Sequence, residues 1–202
     1  MFNHDGGAWI AVEGVDGVGK TTVVEGLAKL LSSEGRSVVT TRHPGGTPFG
    51  SLLREVLLHF DAAADAAPEA FSMVMRADAT DTFLRVIHPA IKDERLVISD
   101  RCLWSTAAYG VEEGLSEETA WRWIAQSCWG HGPDLVLILD GPTRQPEAPD
   151  NVETRGPEFA ERVRERYREI AAGRREAVLV DAGGCEATVL DQCLYEIEFR
   201  RL

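Results

Sequence analysis

The stretch Gly14-Val15-Asp16-Gly17-Val18-Gly19-Lys20-Thr21, followed by Thr22, decides how this chain folds and what it binds. It fits the pattern G-x-x-x-x-G-K-[ST], with a short apolar run before it and a helical pattern after it. Glycines let the backbone curl so that successive amide hydrogens point inward, and the positive end of the next helix adds to their field. We therefore predict a nucleotide-binding phosphate loop, in which Lys20 reaches the β- and γ-phosphates and the Thr21 hydroxyl binds Mg²⁺.

Apolar, β-branched runs of strand length recur along the chain, separated by longer helical stretches. The runs cover residues 9–12, 37–40, 96–99, 135–139 and 177–180. They lack polar alternation, which is typical of strands buried on both faces. Helices are predicted near residues 20–34, 48–60, 69–92, 104–129, 157–173 and 185–200. This alternation predicts an α/β fold of three layers, the P-loop NTPase fold, with a five-stranded parallel sheet flanked by helices.

Length and charge limit the class of protein. With 202 residues and 44% apolar content, the chain is long enough for one domain with a core, so residues 1–202 are predicted to form a single domain. A formal net charge of −12 argues against nucleic acid or an anionic membrane as a partner. Residues 1–7 carry neither a basic region nor a long apolar run, so we expect no signal peptide or membrane span and a cytoplasmic location.

Cysteines and prolines give two weaker signals. Cys102, Cys128, Cys185 and Cys193 form no C-x-x-C pair and have no histidine at metal-ligand spacing, so we predict four ordinary buried thiols. The proline-rich segment 141–156 directly follows the fourth apolar run and lacks a clear apolar period. A segment of this kind inside a compact domain is either a functional loop or disordered.

The phosphate loop alone does not choose among kinases, GTPases and ATPases, although the Asn-Lys-x-Asp and Ser-Ala-Lys runs of a guanine pocket are absent. Four further segments carry a family resemblance. They are Thr-Arg-His-Pro-Gly-Gly-Thr at 41–47, Arg-Ala-Asp at 76–78, Ser-Asp-Arg at 99–101 with Ser-Thr-Ala-Ala-Tyr at 105–109, and Pro-Asp-Leu-Val-Leu-Ile-Leu-Asp at 133–140. With these segments the chain resembles the thymidylate kinase family of P-loop nucleoside monophosphate kinases, as a divergent member.

The resemblance implies phosphoryl transfer from ATP, with Mg²⁺, to a nucleoside monophosphate. It implies that Arg101 clamps phosphoryl oxygens and that Asp100 supports Mg²⁺ through its waters; a structural ion pair between the two is the alternative. Arg42 lies past the second strand at the same sheet edge, where a guanidinium can hold the acceptor's phosphate. A surface arginine in a Pro-Gly turn is the other interpretation of Arg42.

Further acceptor contacts follow from the same resemblance. Asp16 is implied to lie near the sugar 3′-hydroxyl, although a turn-capping aspartate is also possible. Arg76 is implied to bond a carbonyl of the base, with an exposed helix arginine as the alternative. The residues implied to bind the acceptor are Asp16, Arg42, Phe71, Ser72, Arg76, Arg101, Ser105, Thr106 and Tyr109.

Several positions depart from the family pattern. Ser72 stands where a base-stacking phenylalanine is implied, Gly110 and Ala107 where glutamine is common, and His43 where glutamate is common. The pocket is therefore predicted to be wider or chemically different from one for thymine. The lid, 141–156, is short and reads Asp-Asn-Val-Glu at 150–153, which leaves Arg144 and Arg155 as its catalytic candidates beside Lys20 and Arg101.

The predicted activity is phosphorylation of a (deoxy)nucleoside monophosphate, dTMP or a modified pyrimidine analogue. The alternatives are a catalytically weak nucleotide-binding regulator and a kinase for a non-nucleotide acceptor. The predicted small-molecule partners are the nucleotide substrates. A second copy of the chain is also a predicted partner, because family members commonly form homodimers. Core positions or a dimer contact are suggested by the tryptophans Trp104, Trp121, Trp123 and Trp129.

Overall fold

A single sheet of five parallel strands organises the computed structural model, which describes residues 7–60, 63, 65–144 and 150–202. The strands are β1 (Ala8–Glu13), β2 (Val38–Arg42), β3 (Leu96–Asp100), β4 (Leu135–Asp140) and β5 (Ala177–Asp181). Their order in the sheet is β2-β3-β1-β4-β5, and every neighbouring pair is parallel. The predicted α/β fold with five parallel strands is confirmed, and each predicted run overlaps its strand.

Helices cover both faces of this sheet. They are α1 (Lys20–Ser33), α2 (Pro48–His59), α3 (Pro68–Thr82), α4 (His88–Lys92), α5 (Glu117–Gln126), α6 (Pro157–Gly173) and α7 (Glu186–Phe199). A π-helical turn at Phe83–Ile87 joins α3 to α4. Because the residues at both junctions keep right-handed helical angles, the predicted helix 69–92 is present with one widened turn.

The predicted helix 104–129 is wrong in its extent. A π-helical turn covers Thr106–Gly110, and a new helix, α5, begins only at Glu117. Gly114 between them has a φ of 112°, which ends a helix. The Ser116 side chain accepts a hydrogen bond from the Thr119 amide and so caps the start of α5.

The core lies along the central strands. All six residues of β1 are buried, and β4 is buried except at Asp140, whereas the edge strands β2 and β5 are partly exposed. In this register Asp100 of β3 pairs with both Arg42 and Val12, so the carboxyl ends of β1, β2 and β3 lie side by side. That edge is where parallel α/β sheets bind ligands.

Among the described residues, no helix has both the length and the apolar character needed to span a bilayer. The cysteines of the described chain are free; Cys102, Cys128 and Cys193 are buried, but Cys185 is exposed, so the prediction of four buried thiols is wrong at that position. Cys185 precedes the first residue of α7, where the chain turns at the protein surface.

Candidate active site

The loop between β1 and α1 has the conformation that the glycine pattern requires. Gly14, Gly17 and Gly19 have φ values of 136°, 76° and 103°, which only glycine adopts without strain. Gly19 is the residue before α1, and within the described part of the chain no side-chain hydrogen bond caps the start of that helix. The first-turn amides and the positive helix end are therefore directed at the space in front of the loop, an arrangement that binds anions.

Lys20 is 7% exposed, and its Nζ donates a hydrogen bond to the Val15 carbonyl at 2.8 Å. Burial, followed by the nearby Arg101 cation, lowers the pKa of Lys20 to about 8. Asp16, whose Oδ1 lies 3.6 Å from Nζ, acts in the opposite direction. The loop thus holds a cation whose charge is poorly compensated by the protein and which a phosphate would stabilise.

Thr21 and Asp100 meet at the mouth of the loop. The Thr21 hydroxyl donates to Asp100 Oδ2 at 2.6 Å. A hydroxyl and a carboxylate at the edge of a phosphate loop are oxygen ligands of the kind Mg²⁺ prefers, directly or through water. The two residues therefore fit the predicted metal site.

The loop opens into a cavity of about 740 Å³, called here the loop cleft. Among its lining residues are the predicted Asp16, Gly17, Val18, Gly19, Lys20, Thr21, Thr22, Arg42, Asp100, Arg101 and Arg144. Gly14 and Val15 do not line it, because their carbonyls face inward and accept from Arg101 and Lys20. The cleft has a basic lining in a chain of net charge −12, which suits an anionic ligand.

Arg54 also lines the loop cleft, and sequence reasoning missed it. It lies on α2, and its Nη1 donates to the Pro44 carbonyl at 3.0 Å. Its spacing of three and four residues from the buried Leu57 and Leu58 was the available signal, since that spacing places it on the inward face of α2.

Arg101 is the centre of a buried polar network. Its Nη2 donates to Asp16 Oδ1 and, at 3.0 Å, to the Tyr109 hydroxyl, while Nη1 donates to the Gly14 carbonyl at 2.9 Å. Burial opposes ionisation of Asp16, but the Arg101 and Lys20 cations outweigh it and hold the pKa of that carboxyl well below its usual value. Arg101 pairs with Asp16 and not with Asp100, so the alternative of an Asp100–Arg101 ion pair is wrong.

Glu13 and Tyr167 complete this network, and neither was among the predicted site residues. Glu13 is fully buried, and its Oε2 accepts from the Tyr167 hydroxyl at 2.7 Å and from Arg101 at 3.4 Å. Ser105 donates to the same carboxylate at 3.0 Å. A charged residue at the end of an all-apolar strand was the signal for Glu13. Tyr167 shares the buried stripe of α6 with Val163 and Ile170.

A second cavity, of about 90 Å³, is also lined by Arg101 and is called here the inner pocket. The structure brings together at this pocket the predicted Asp16, Phe71, Ser72, Arg101, Ser105, Thr106 and Tyr109. Ser72 and Thr106 are buried, and the Thr106 hydroxyl has no hydrogen-bond partner among the residues that the structure describes. Gly110 lies between them, and a Cβ there would contact the Ser72 hydroxyl at 3.4 Å. The pocket thus presents the hydroxyls of Ser72 and Thr106 next to position 110, where the family resemblance implied a glutamine.

Arg76 is not brought together with these residues. Its Nε donates to the Ser127 hydroxyl at 3.1 Å, and its guanidinium lies 5.4 Å from the centre of the Trp123 ring. Arg76 and Ser72 share α3, but the guanidinium extends away from the inner pocket, toward α5 and the turn after it. The neighbouring Met75 lines the pocket in its place.

The described parts of 141–156 contact both cavities. The Arg144 amide donates to the Gly17 carbonyl at 3.0 Å, and a Cβ at Gly17 would overlap the Arg144 backbone, which accounts for glycine at that position. Arg155 forms an ion pair with Glu113 at the rim of the inner pocket and does not line the loop cleft. Residues 145–149 of the predicted lid lie outside the described residues.

Asn151 fastens this segment to α2. Its side-chain amide donates to the carbonyls of Leu57 and Phe60 at 3.2 and 3.0 Å, and its backbone amide donates to the Leu58 carbonyl at 3.0 Å. Residues 150–155, of which Asp150 and Val152 line the inner pocket, are therefore held by Asn151 at one end and by Arg155 at the other.

Comparisons with known proteins agree with this geometry. The family model described as thymidylate kinase matches residues 12–192. The thymidylate kinase of Bifidobacterium longum (strain DJO10A) is 38% identical over 176 residues, which cover 82% of this chain and 84% of that protein. That of Halothermothrix orenii is 35% identical over 190 residues, covering 87% and 89%. A crystal structure of thymidylate kinase from Ehrlichia chaffeensis shares the fold, with a TM-score of 0.79, 24% identity and coverage of 95% and 99%.

Proposed function

Because the chain belongs to the thymidylate kinase family, we propose that it transfers the γ-phosphate of ATP to a (deoxy)nucleoside monophosphate, dTMP or a modified pyrimidine analogue. One observation carries the proposal: the loop cleft and the inner pocket meet at Asp16, Arg54 and Arg101, which line both. A donor in one cavity and an acceptor in the other would present their phosphates to each other at these residues, as in-line transfer requires.

We assign the loop cleft to ATP. The amides of 14–22 would hold its phosphates, with Lys20 at the β- and γ-phosphates and Arg101 at the transferring group. Thr21 and Asp100 would hold Mg²⁺, which when bound neutralises charge on the phosphate oxygens. Transfer of this kind needs positioning and positive charge, so no general base is assigned.

We assign the inner pocket to the acceptor. Arg42, which lines the loop cleft and not the inner pocket, would hold its phosphate where the two cavities meet. Asp16 and Tyr109, which are hydrogen-bonded to each other at 2.9 Å, would lie beside its sugar. Phe71, Ser72 and Thr106 would surround its base, with Ser105 behind them. Arg76 could bond the base only by leaving Ser127 and Trp123, so a base recognised by hydroxyls is the better match.

We propose that residues 141–156 form the lid of a single domain. Arg144 is the better candidate for a lid arginine, because it lines the loop cleft, whereas Arg155 is paired with Glu113. That pairing also favours the second candidate function, a nucleotide-binding regulator with weak transfer. A lid arginine that reaches the transferring phosphate raises the rate of related reactions by orders of magnitude, and Arg155 is occupied elsewhere.

We further propose a homodimer formed through an apolar face on α2 and α3. Phe49 and Leu52 on α2 are 50% and 68% exposed, and Met73 on α3 is 56% exposed. Phe49 and Met73 line one shallow depression between the two helices. Large exposed apolar side chains grouped on one side of two neighbouring helices are typical of protein contacts. Light scattering on the wild type and on Leu52→Glu tests this, with a dimer expected for the first and a monomer for the second.

Coupled measurement of ADP release tests the function. The panel contains ATP and Mg²⁺ with each common nucleoside monophosphate, with 5-substituted pyrimidine monophosphates, and with the matching nucleosides. We expect turnover with at least one pyrimidine monophosphate, none with nucleosides, and none with Lys20→Ala. If the protein binds ATP but phosphorylates no acceptor of the panel, the result favours the regulator.

A further inference from the structure

The backbone turn at His43, Pro44 and Gly45 holds two arginines of the loop cleft. The Arg42 Nε donates to the Gly45 carbonyl at 3.3 Å, and Arg54 Nη1 donates to the Pro44 carbonyl at 3.0 Å. One arginine comes from β2 and the other from α2, and both are bonded to this one turn. Two neighbouring carbonyls of one turn therefore set where both guanidinium groups point.

The two arginines are close enough to repel each other. Burial, followed by the charge of Arg42, lowers the pKa of Arg54. Like charges separate unless they are held, and a phosphate between them would offset the repulsion. The turn therefore keeps two cations together in the absence of the anion they would bind.

A buried side chain on α3 holds this turn. Asp78 is fully buried, and its Oδ2 lies 2.6 Å from His43 Nδ1, while its Oδ1 accepts from the Gly45 amide at 3.0 Å. An ionised carboxylate only accepts, so Nδ1 carries the hydrogen. His43 itself is 4% exposed, and its amide donates to the Asp100 carbonyl at 2.9 Å, which ties the turn to β3.

Gly50 on α2 makes this contact possible, because a Cβ at that position would overlap the Asp78 carboxylate. Asp78 therefore meets the turn only where α2 lacks a side chain. Three elements converge on one carboxylate: α3 supplies it, the turn is bonded to it at two points, and α2 makes room for it.

We propose that Asp78 and His43 are positioning residues that aim Arg42 and Arg54 at the phosphate of the acceptor. The inference rests on the proposed function, since it takes the anion between the two arginines to be the acceptor's phosphate. Asp78 lines neither the loop cleft nor the inner pocket, so it acts through the carbonyls of Pro44 and Gly45. His43 lies in the lining of the loop cleft but is only 4% exposed, and it is assigned the same indirect role.

The test compares Asp78→Asn, His43→Leu, His43→Gln and Gly50→Ala with the wild type. The readouts are the KM of the acceptor, the KM of ATP, kcat, and the Kd of dTMP by calorimetry without ATP. Loss of the hydrogen bonds between Asp78 and the turn should raise the acceptor KM and the dTMP Kd about tenfold or more. The KM of ATP and kcat should change less than about threefold. Gly50→Ala should behave like Asp78→Asn, and His43→Gln, which restores an N–H donor, should recover most of the loss.

Thr82→Val is the matched control. Thr82 lies on the same helix as Asp78 and is buried, and its hydroxyl has no hydrogen-bond partner within the described parts of the chain. This variant should leave both KM values unchanged. Thermal unfolding of each variant identifies any that fails to fold; in that case the pair His43→Leu and His43→Gln carries the test.

The outcomes separate the two proposals. If the wild type turns over a monophosphate but folded Asp78→Asn and His43→Leu keep its KM, the positioning inference is overturned and the function stands. An equal rise in the KM of ATP also overturns the inference, because it means general damage to the cleft. If the wild type binds dTMP but turns over no monophosphate of the panel, and the variants lose the affinity for dTMP, the proposed function fails and the positioning inference stands.

Discussion

Replacement of Lys20 by methionine should abolish phosphoryl transfer and at the same time stabilise the folded protein. Lys20 is buried beside Arg101, and its pKa is lowered from the ordinary 10.5 to about 8. Keeping Lys20 protonated in the folded protein near neutral pH therefore lowers the free energy of unfolding by about 3 kcal/mol. Methionine has a similar length without the charge, so this cost disappears.

The gain is partly offset by a lost hydrogen bond. The bond from Lys20 to the Val15 carbonyl is 2.8 Å long and contributes about 1 kcal/mol. The net stabilisation is therefore about 2 kcal/mol near pH 7, or a rise in Tm of about 4–8 °C for a chain of this size.

The lowered pKa of Lys20 also determines how this difference in stability changes with pH. The folded pKa lies below the unfolded one, so between pH of about 8 and 10.5 the unfolded chain binds more protons and the wild type gains stability as pH rises. The advantage of Lys20→Met should be complete below pH 8 and should shrink toward zero at pH 10. Thermal unfolding of both proteins at pH 7 and pH 10 measures it. A variant that is less stable at pH 7, or whose advantage is the same at both pH values, would refute this reasoning.

Three shorter predictions follow from other contacts. Arg42→Ala should raise the KM of the acceptor at least tenfold and that of ATP less than threefold in steady-state kinetics; equal effects on both would contradict its assignment to the acceptor. Tyr167→Phe removes a donor to Glu13 and should lower the stability by about 1.5–3 kcal/mol in chemical denaturation and reduce kcat, because Arg101 loses a neighbour; an unchanged protein would deny the network any role. Gly110→Gln should improve kcat/KM for dTMP, since the site has ordinary contact distance for a Cβ and an amide suits thymine; a loss of dTMP use would instead show a pocket shaped for another base.

The sheet and the phosphate loop could be predicted because their signals are local. Strands without polar alternation, such as Leu135–Asp140, need cover on both faces, and that need alone selects a parallel sheet between helices. The glycines at 14, 17 and 19 announce positive φ values that other residues avoid. Each of these inferences uses residues that are neighbours in sequence.

The parts that sequence reasoning missed depend on contacts between distant segments. Glu13 and Tyr167 are 154 positions apart, and only the folded chain brings the carboxylate to the hydroxyl. Arg76 follows Ser72 by one helical turn, which suggested a shared pocket, but Ser127 and Trp123 bind its guanidinium from another segment. The break at Gly114 was hidden by good helix formers on either side of it.

The contact between Asp78 and His43 could not be predicted from the sequence either. His43 was noticed as a departure from a family pattern and Asp78 as part of a motif, but 35 positions separate them, and nothing in the sequence links them. Their contact acquires a meaning only with Gly50 and the turn carbonyls in place.

The most direct test of the central claim is titration calorimetry of the purified protein with a non-hydrolysable ATP analogue, in the presence and absence of Mg²⁺. The loop amides, Lys20, and the Thr21–Asp100 pair together predict saturable binding at one site per chain, strengthened by Mg²⁺ and lost in Lys20→Ala. Absence of any heat of binding with Mg²⁺ present, or equal binding by Lys20→Ala, would contradict the assignment of the loop cleft to ATP.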